Sequence, residues 1–243
     1  MKLSERHASF TRCTTAFAIM VLFASCTGMP DADPRSFERA PLFGMVYDQE
    51  NQPVAGVNFS IDGREGLLSD ITGRFVIPDL SRGEHTLVAR KVDYELLMTV
   101  IQFSNQTQVV YIRMISRTEL VQAAEDEVAA RRFADAQSLI DRILTISPDD
   151  PEGSFLQAVL FHRSRRSLEA AAILEALIAS GVTEEPVCLF LADLYEKALG
   201  DPGRAVKLLE GCVARSPTPR TRSKLDRLTN SVNAVGIDRV RPR

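Results

Sequence analysis

Cysteine and histidine are the residues through which a chain without obvious motifs most often does chemistry, and this one has four cysteines and three histidines. The cysteines stand at 13, 26, 188 and 212, and the histidines at 7, 85 and 162. Neither His85 nor His162 is followed by Glu three residues later, and the two sit far apart in separate strand and helix patterns, so no zinc-type ligand set forms. No Gly-x-Ser-x-Gly elbow, phosphate loop or dinucleotide glycine fingerprint occurs. The carboxylate pair Asp149-Asp150 falls between two helical patterns, where such residues cap helices. The reading is a non-catalytic protein with no metal and no cofactor.

Cys26 is the cysteine with a motif around it. Lys2, Arg6 and Arg12 make a basic start, and residues 13–25 then run without a charge. Thirteen residues fall short of the roughly 20 that span a bilayer, so the run reads as the apolar part of a signal peptide. It ends in Leu22-Phe23-Ala24-Ser25-Cys26, which resembles a lipobox, with Phe23 a departure from the usual Leu. The resemblance implies export, cleavage before Cys26 and acylation of its thiol. The protein is then lipid-anchored to a bacterial membrane, outer or periplasm-facing. The formal charge of the whole chain is -3. Loss of residues 1–25, with three basic and one acidic residue, leaves 26 basic and 31 acidic residues, a net -5. That balance speaks against nucleic acid as a partner. Residues 27–41, rich in proline and acidic residues, read as an extended tether.

From 42 to 114 the apolar residues come in short runs between turns. Strands are expected near 42–47, 55–61, 66–69, 73–77, 84–91, 96–103 and 107–114, with alternation clearest in 57–61 and 86–90. Gly73 after Asp70 can take positive φ and close a tight hairpin, and Phe75, Leu80 and Leu87 should point into the core. Phe43-Gly44, Val46, Gln52-Pro53, Gly56-Val57, Ser69-Asp70-Ile-Thr-Gly73-Arg-Phe75, Leu80, Gly83, Leu87 and Asp93-Tyr94 together resemble the carboxypeptidase regulatory-like domain. That resemblance covers roughly 70 residues and implies a seven-stranded, transthyretin-like sandwich. Asp93 stands where that family commonly has Gly, and His85 where it has Tyr.

After Arg113 the period becomes helical and a repeat emerges. Ala136, Ala170 and Ala205 anchor three similar segments at spacings of 34 and 35 residues. Each is followed four residues later by Ile140, Leu174 or Leu209. Ala124, Ala158 and Ala192 are the small residues of the preceding helices. Helix pairs are expected at 117–130/133–146, 151–164/167–180 and 184–199/202–214, with an added residue near 199–201 and a polar capping helix at 219–231. The pattern resembles the tetratricopeptide repeat. The fold class is therefore two-domain, all-β plus all-α: a seven-stranded β-sandwich followed by a three-repeat α-solenoid with a capping helix. The domain boundaries are 1–25 signal peptide, 26–41 lipidated tether, 42–114 sandwich, 117–231 helical repeats and 232–243 disordered tail.

The tetratricopeptide resemblance places Val121, Glu125, Val128, Phe155, Val159, His162, Leu189, Asp193 and Glu196 on the inner face of the array, as residues that would meet a protein or peptide partner of the cell envelope. Val121 and Glu125 replace the Lys and Asn of carboxylate-clamping members, which disfavours that ligand type. A membrane-tethered binding scaffold is the first reading. A surface receptor for a glycan, working through the sandwich, is the alternative. Cys188 and Cys212 lie equally far from Gly200 on two antiparallel helices, so they are either a disulfide or two buried free thiols. The lipobox predicts that a palmitate analogue labels the wild-type chain in cells. Cys26→Ala should lose both the label and membrane fractionation, and a variant that keeps both would overturn the assignment.

Overall fold

Strand and helix are set by the period of the buried side chains, and the two periods divide the chain near residue 115. The computed structural model describes residues 37–240. Seven strands come first: β1 (Arg39–Tyr47), β2 (Asn58–Ile61), β3 (Arg64–Leu68), β4 (Arg74–Ser81), β5 (Gly83–Arg90), β6 (Leu97–Phe103) and β7 (Val109–Arg113). They form a three-stranded sheet ordered β4-β1-β7 and a four-stranded sheet ordered β3-β2-β5-β6. Neighbours are antiparallel except β1 and β7, which run parallel.

The sheets meet over one apolar core. Phe75 from the first sheet stacks on Phe59 from the second, with ring centroids 3.9 Å apart. Phe75, Leu80 and Leu87 are all buried, as the alternation predicts. Gly44 is required beneath that stack, because a Cβ there would come within 2.1 Å of the Phe75 ring.

Two sequence expectations are corrected here. The expected tether reaches only to residue 36 at most, since Phe37 is buried and packs edge-on against Phe103, and β1 begins at Arg39. Pro41 hid this strand. It fits because the β1–β4 register shifts between Ala40 and Leu42, and prolines are tolerated at such bulges. The Asp70–Gly73 turn is also not a hairpin between neighbours: β3 and β4 lie in different sheets. The turn itself is tight. Asp70 Oδ1 accepts from the amides of Thr72 and Arg74 at 2.8 and 2.9 Å, and Gly73 has φ 74°. A Cβ on Gly73 would lie 2.4 Å from the Val46 carbonyl oxygen. Local turn chemistry thus holds while the sheet assignment differs. The segment 1–36, which contains Cys26, lies outside the described residues.

Asp93 and His85 both fit their places in the sandwich. Asp93 holds φ 63°, a left-handed conformation that Asp tolerates better than most side chains. His85 is buried, with Nδ1 2.6 Å from Asp62 Oδ2 and Nε2 2.8 Å from the Ser81 carbonyl oxygen. The His85 bond holds the Asp62 carboxyl below its usual range.

Seven helices follow: α1 (Arg117–Ala129), α2 (Phe133–Ile146), α3 (Pro151–Arg163), α4 (Ser167–Ala179), α5 (Glu185–Asp193), α6 (Pro202–Arg215) and α7 (Pro219–Val240). Consecutive helices pack on each other, and α1 also meets α3, as α5 meets α7. The six repeat alanines, 124, 136, 158, 170, 192 and 205, are each 0% exposed. The extra residue of the third unit is absorbed in a wide π-helical turn over Leu194–Ala198 that continues α5, rather than at 199–201. Such a turn is the usual way a helix takes in one added residue. α7 runs beyond the expected end at 231 and through most of the expected tail, to Val240. Pro242 is the next residue that disfavours helix before it.

The junction between the two parts has no free linker. Ser116 caps α1, and Glu119 returns the bond to the Ser116 amide, a capping box. Glu119 also accepts from the Gln49 amide of the sandwich at 2.9 Å. Arg142 on α2 grips Glu95 through two bonds of 2.7 Å. Residues from Phe37 onward form one compact unit.

Cys188 on α5 and Cys212 on α6 are joined as a disulfide, with Cα atoms 6.4 Å apart, inside the usual range. The bond closes a loop of 24 residues, which in the chain-entropy account stabilises by about 3 kcal/mol. Thiol titration of the unfolded, non-reduced Cys13→Ser/Cys26→Ser chain should therefore find no free thiol. Reduction should lower the melting temperature of the helical signal, and two titratable thiols would contradict the pairing.

Candidate partner-binding site

The first helices of the three pairs, α1, α3 and α5, present side chains to a common surface. Between them lies a groove of about 340 Å³ lined by Val121 and Glu125 of α1, Glu152, Phe155 and Leu156 of α3, and Val182, Glu184 and Val187 at the start of α5. Proline opens both later helices, at Pro151 and Pro186, where its fixed φ suits the first turn and its missing N–H is not needed. Asp150 caps α3 by accepting from the Gly153 amide at 2.7 Å. These caps fix where the acidic residues Glu152 and Glu184 stand. Glu152 accepts from Arg117 at 2.7 Å.

The structure brings together three of the residues expected on the inner face: Val121, Glu125 and Phe155. A second patch adjoins them. Phe190 packs edge-on between Phe155 and His162, at centroid distances of 5.8 and 5.5 Å. His162 Nδ1 also lies 3.0 Å from Ser167 Oγ. Leu189 is half-buried against the core shared by the second and third pairs, and Val159 against that of the first.

The remaining expected positions are not open. Val128 is only 7% exposed and belongs to the core between α1 and α2. Asp193 and Glu196 are engaged by α7. Lys224 donates to both of them, and Arg227 makes two bonds to Glu196, at 2.8 and 3.1 Å. Arg220 reaches Glu185 at 2.8 Å. Sequence reasoning missed Glu184, Val187 and Phe190. It also missed the pairing with α7, for which the one-face spacing of Arg220, Lys224 and Arg227 was the available signal.

Behind the groove, Tyr195 ties three helices. Its hydroxyl donates to Glu175, Arg204 donates to both Glu175 and the Tyr195 oxygen at 3.0 Å, and the guanidinium lies 4.4 Å from the ring centre. Burial, aided by Glu175, pushes the phenol up to about 12. The sandwich offers a different surface. Val76, Phe43 and Val109 sit side by side across β4, β1 and β7 and are exposed, as is Tyr111.

Among the described residues, no three His, Cys, Asp or Glu side chains cluster as metal ligands, and no helix is long and apolar enough to cross a membrane. No protein-family model and no curated protein matches this chain. Solved structures match about a third of it. The Bacillus anthracis TIE protein shares 13% identity over 32% of this chain and 17% of its own, with a TM-score of 0.29. A streptococcal ancillary pilin shares 17% over 32% of this chain and 30% of its own, with a TM-score of 0.28. A chlorocatechol 1,2-dioxygenase from Pseudomonas putida shares 12% over 33% of this chain and 62% of its own, with a TM-score of 0.24. This chain spans less than two thirds of each, and likeness at this level carries no argument about activity.

The α7 contacts make a pH prediction. The Arg227 bond, with help from Lys224, holds the Glu196 carboxyl below its usual range against the effect of burial. Burial alone would raise Asp193, but bonds from Lys224 and Lys197 bring it below its usual range. Both carboxyls thus titrate lower folded than unfolded. Their contribution is present above the unfolded carboxylate range and is lost as pH falls through the folded values. The melting temperature of the helical signal should drop between about pH 6 and about pH 3. Lys224→Ala with Arg227→Ala should melt lower at the upper pH and drop less. An equal drop in wild type and variant would refute this account.

Proposed function

We propose that this protein is an exported lipoprotein, held at a bacterial membrane through Cys26, whose helical pairs act as a non-catalytic protein-binding scaffold. In this reading the helical part is a three-unit tetratricopeptide-like solenoid with α7 as its cap. The sandwich is a carboxypeptidase regulatory-like domain. The six fully buried alanines in register support the first assignment, and the three-plus-four strand arrangement supports the second. The observation that carries the function is the groove between α1, α3 and α5, where an apolar floor lies open beside polar rims. Ligand grooves are commonly built this way, with apolar lining and a few placed polar groups.

The exposed row of Val76, Phe43 and Val109 with Tyr111 favours a second reading, in which the sandwich meets a surface ligand such as a glycan. Photo-crosslinking amino acids placed singly at Glu125, Glu184, Val109 and Tyr111 in cells separate the two. A discrete protein adduct from the helical positions is expected. Adducts from the sandwich positions alone, or binding of a sugar array without any protein adduct, would replace the scaffold reading with the receptor.

A further inference from the structure

We infer that the groove between α1, α3 and the start of α5 takes a cationic peptide segment, with an apolar side chain on its floor and Lys or Arg beside it. The inference rests on the scaffold reading and names the chemistry of its partner. The floor is made by Val121, Phe155, Leu156 and Val187, and the rim by Glu125, Glu152 and Glu184. Glu152 is answered by Arg117. Glu125 and Glu184 are exposed, and their carboxylates meet no basic side chain among the described residues. The volume, about 340 Å³, is at the small end of ligand sites, which suits one anchoring side chain rather than a whole helix.

The same array shows what covers its acidic surface when something does. On α5 the acids Glu185, Asp193 and Glu196 face α7, and α7 brings Arg220, Lys224 and Arg227 to them. Beside those cations it inserts Leu228 into the adjoining core and packs Leu225 against it. An apolar anchor flanked by cations is therefore the chemistry that this family of helices already accepts at its closed end. At the groove the matching acids stand without it. An acidic segment or a free C-terminal carboxylate would be repelled by the same rim.

A random peptide display library, selected on the full chain, tests this. Enriched peptides should carry Lys or Arg next to an aliphatic or aromatic residue. A synthetic copy of the most enriched peptide, followed by fluorescence anisotropy, should bind Glu125→Gln/Glu184→Gln about fivefold more weakly, as removal of two exposed ion pairs implies. Its affinity should also fall with added salt. Both substitutions are at exposed positions, and circular dichroism checks that the variant is folded. Enriched peptides without a cation preference, or equal binding to the variant, overturn the inference. If binding instead falls with Phe190→Ala and Leu189→Ala but not with the rim changes, the scaffold stands and the groove assignment fails. If no peptide is enriched over an unrelated control protein, both fail together.

Discussion

Two helices can pack backbone to backbone only where the residue at the contact is small, and axes then lie roughly 8–10 Å apart. Ala124, Ala136, Ala158, Ala170, Ala192 and Ala205 hold these contacts with no surface exposed. Ile140, Leu174 and Leu209, equally buried, fill the volume one turn further on. The rest of the helical part follows from this. Close pairs fix how the first helices are spaced, and that spacing leaves a groove among α1, α3 and α5. Once the third pair is packed, Cys188 and Cys212 come within bonding reach at its end away from the turn. The Tyr195, Glu175 and Arg204 contacts bind the third pair to the second. A bulkier residue at any of the six positions would cost more than its own overpacking, because it would move every later helix.

The periods of the sequence revealed most of the elements, because each sheet and each helix pair buries one face. What escaped depended on partners distant along the chain. Phe37 and Arg39 belong to the sandwich, yet Pro41 beside them broke the alternation that would have said so. The Asp70 to Gly73 turn was legible as a turn, but which sheet receives β4 is decided by pairing with β1, some thirty residues earlier. On the candidate site, Val121, Glu125 and Phe155 were readable from helical register. Val128 was not, because one helical face carries both core and surface positions and the boundary between them is set by α2. Asp193 and Glu196 were readable as inner-face acids. Their neutralisation was not, because it comes from Lys224 and Arg227 of α7, some thirty residues further along the chain.

Charge is distributed along the array in a graded way. The closed end is a compensated interface, where basic α7 lies on acidic α5 and the carboxyls of Asp193 and Glu196 are held ionised. At the central groove one rim acid of three, Glu152, is answered, by Arg117, which also meets Asp150. Inside the sandwich the buried His85 ring is likewise held by a carboxylate, that of Asp62 at the turn after β2, at 2.6 Å. The protein thus uses ion pairs where elements meet, and leaves uncompensated acid on one apolar surface.

The parallel pairing of β1 with β7 has a mechanical meaning. The chain enters the sandwich at the N-terminal end of β1 and leaves for α1 from the C-terminal end of β7. In a parallel pair these two ends lie at opposite extremes of the shared ladder. A pull between the entry and the helical array therefore runs along the strands. It loads the pairs from Phe43 with Val109 to Tyr47 with Arg113 together, in shear, rather than peeling them one at a time. With α1 clamped to the sandwich by Ser116, Glu119 and Gln49, tension reaches that ladder directly. The path from the first strand to the first helix is thus carried by five paired residues side by side.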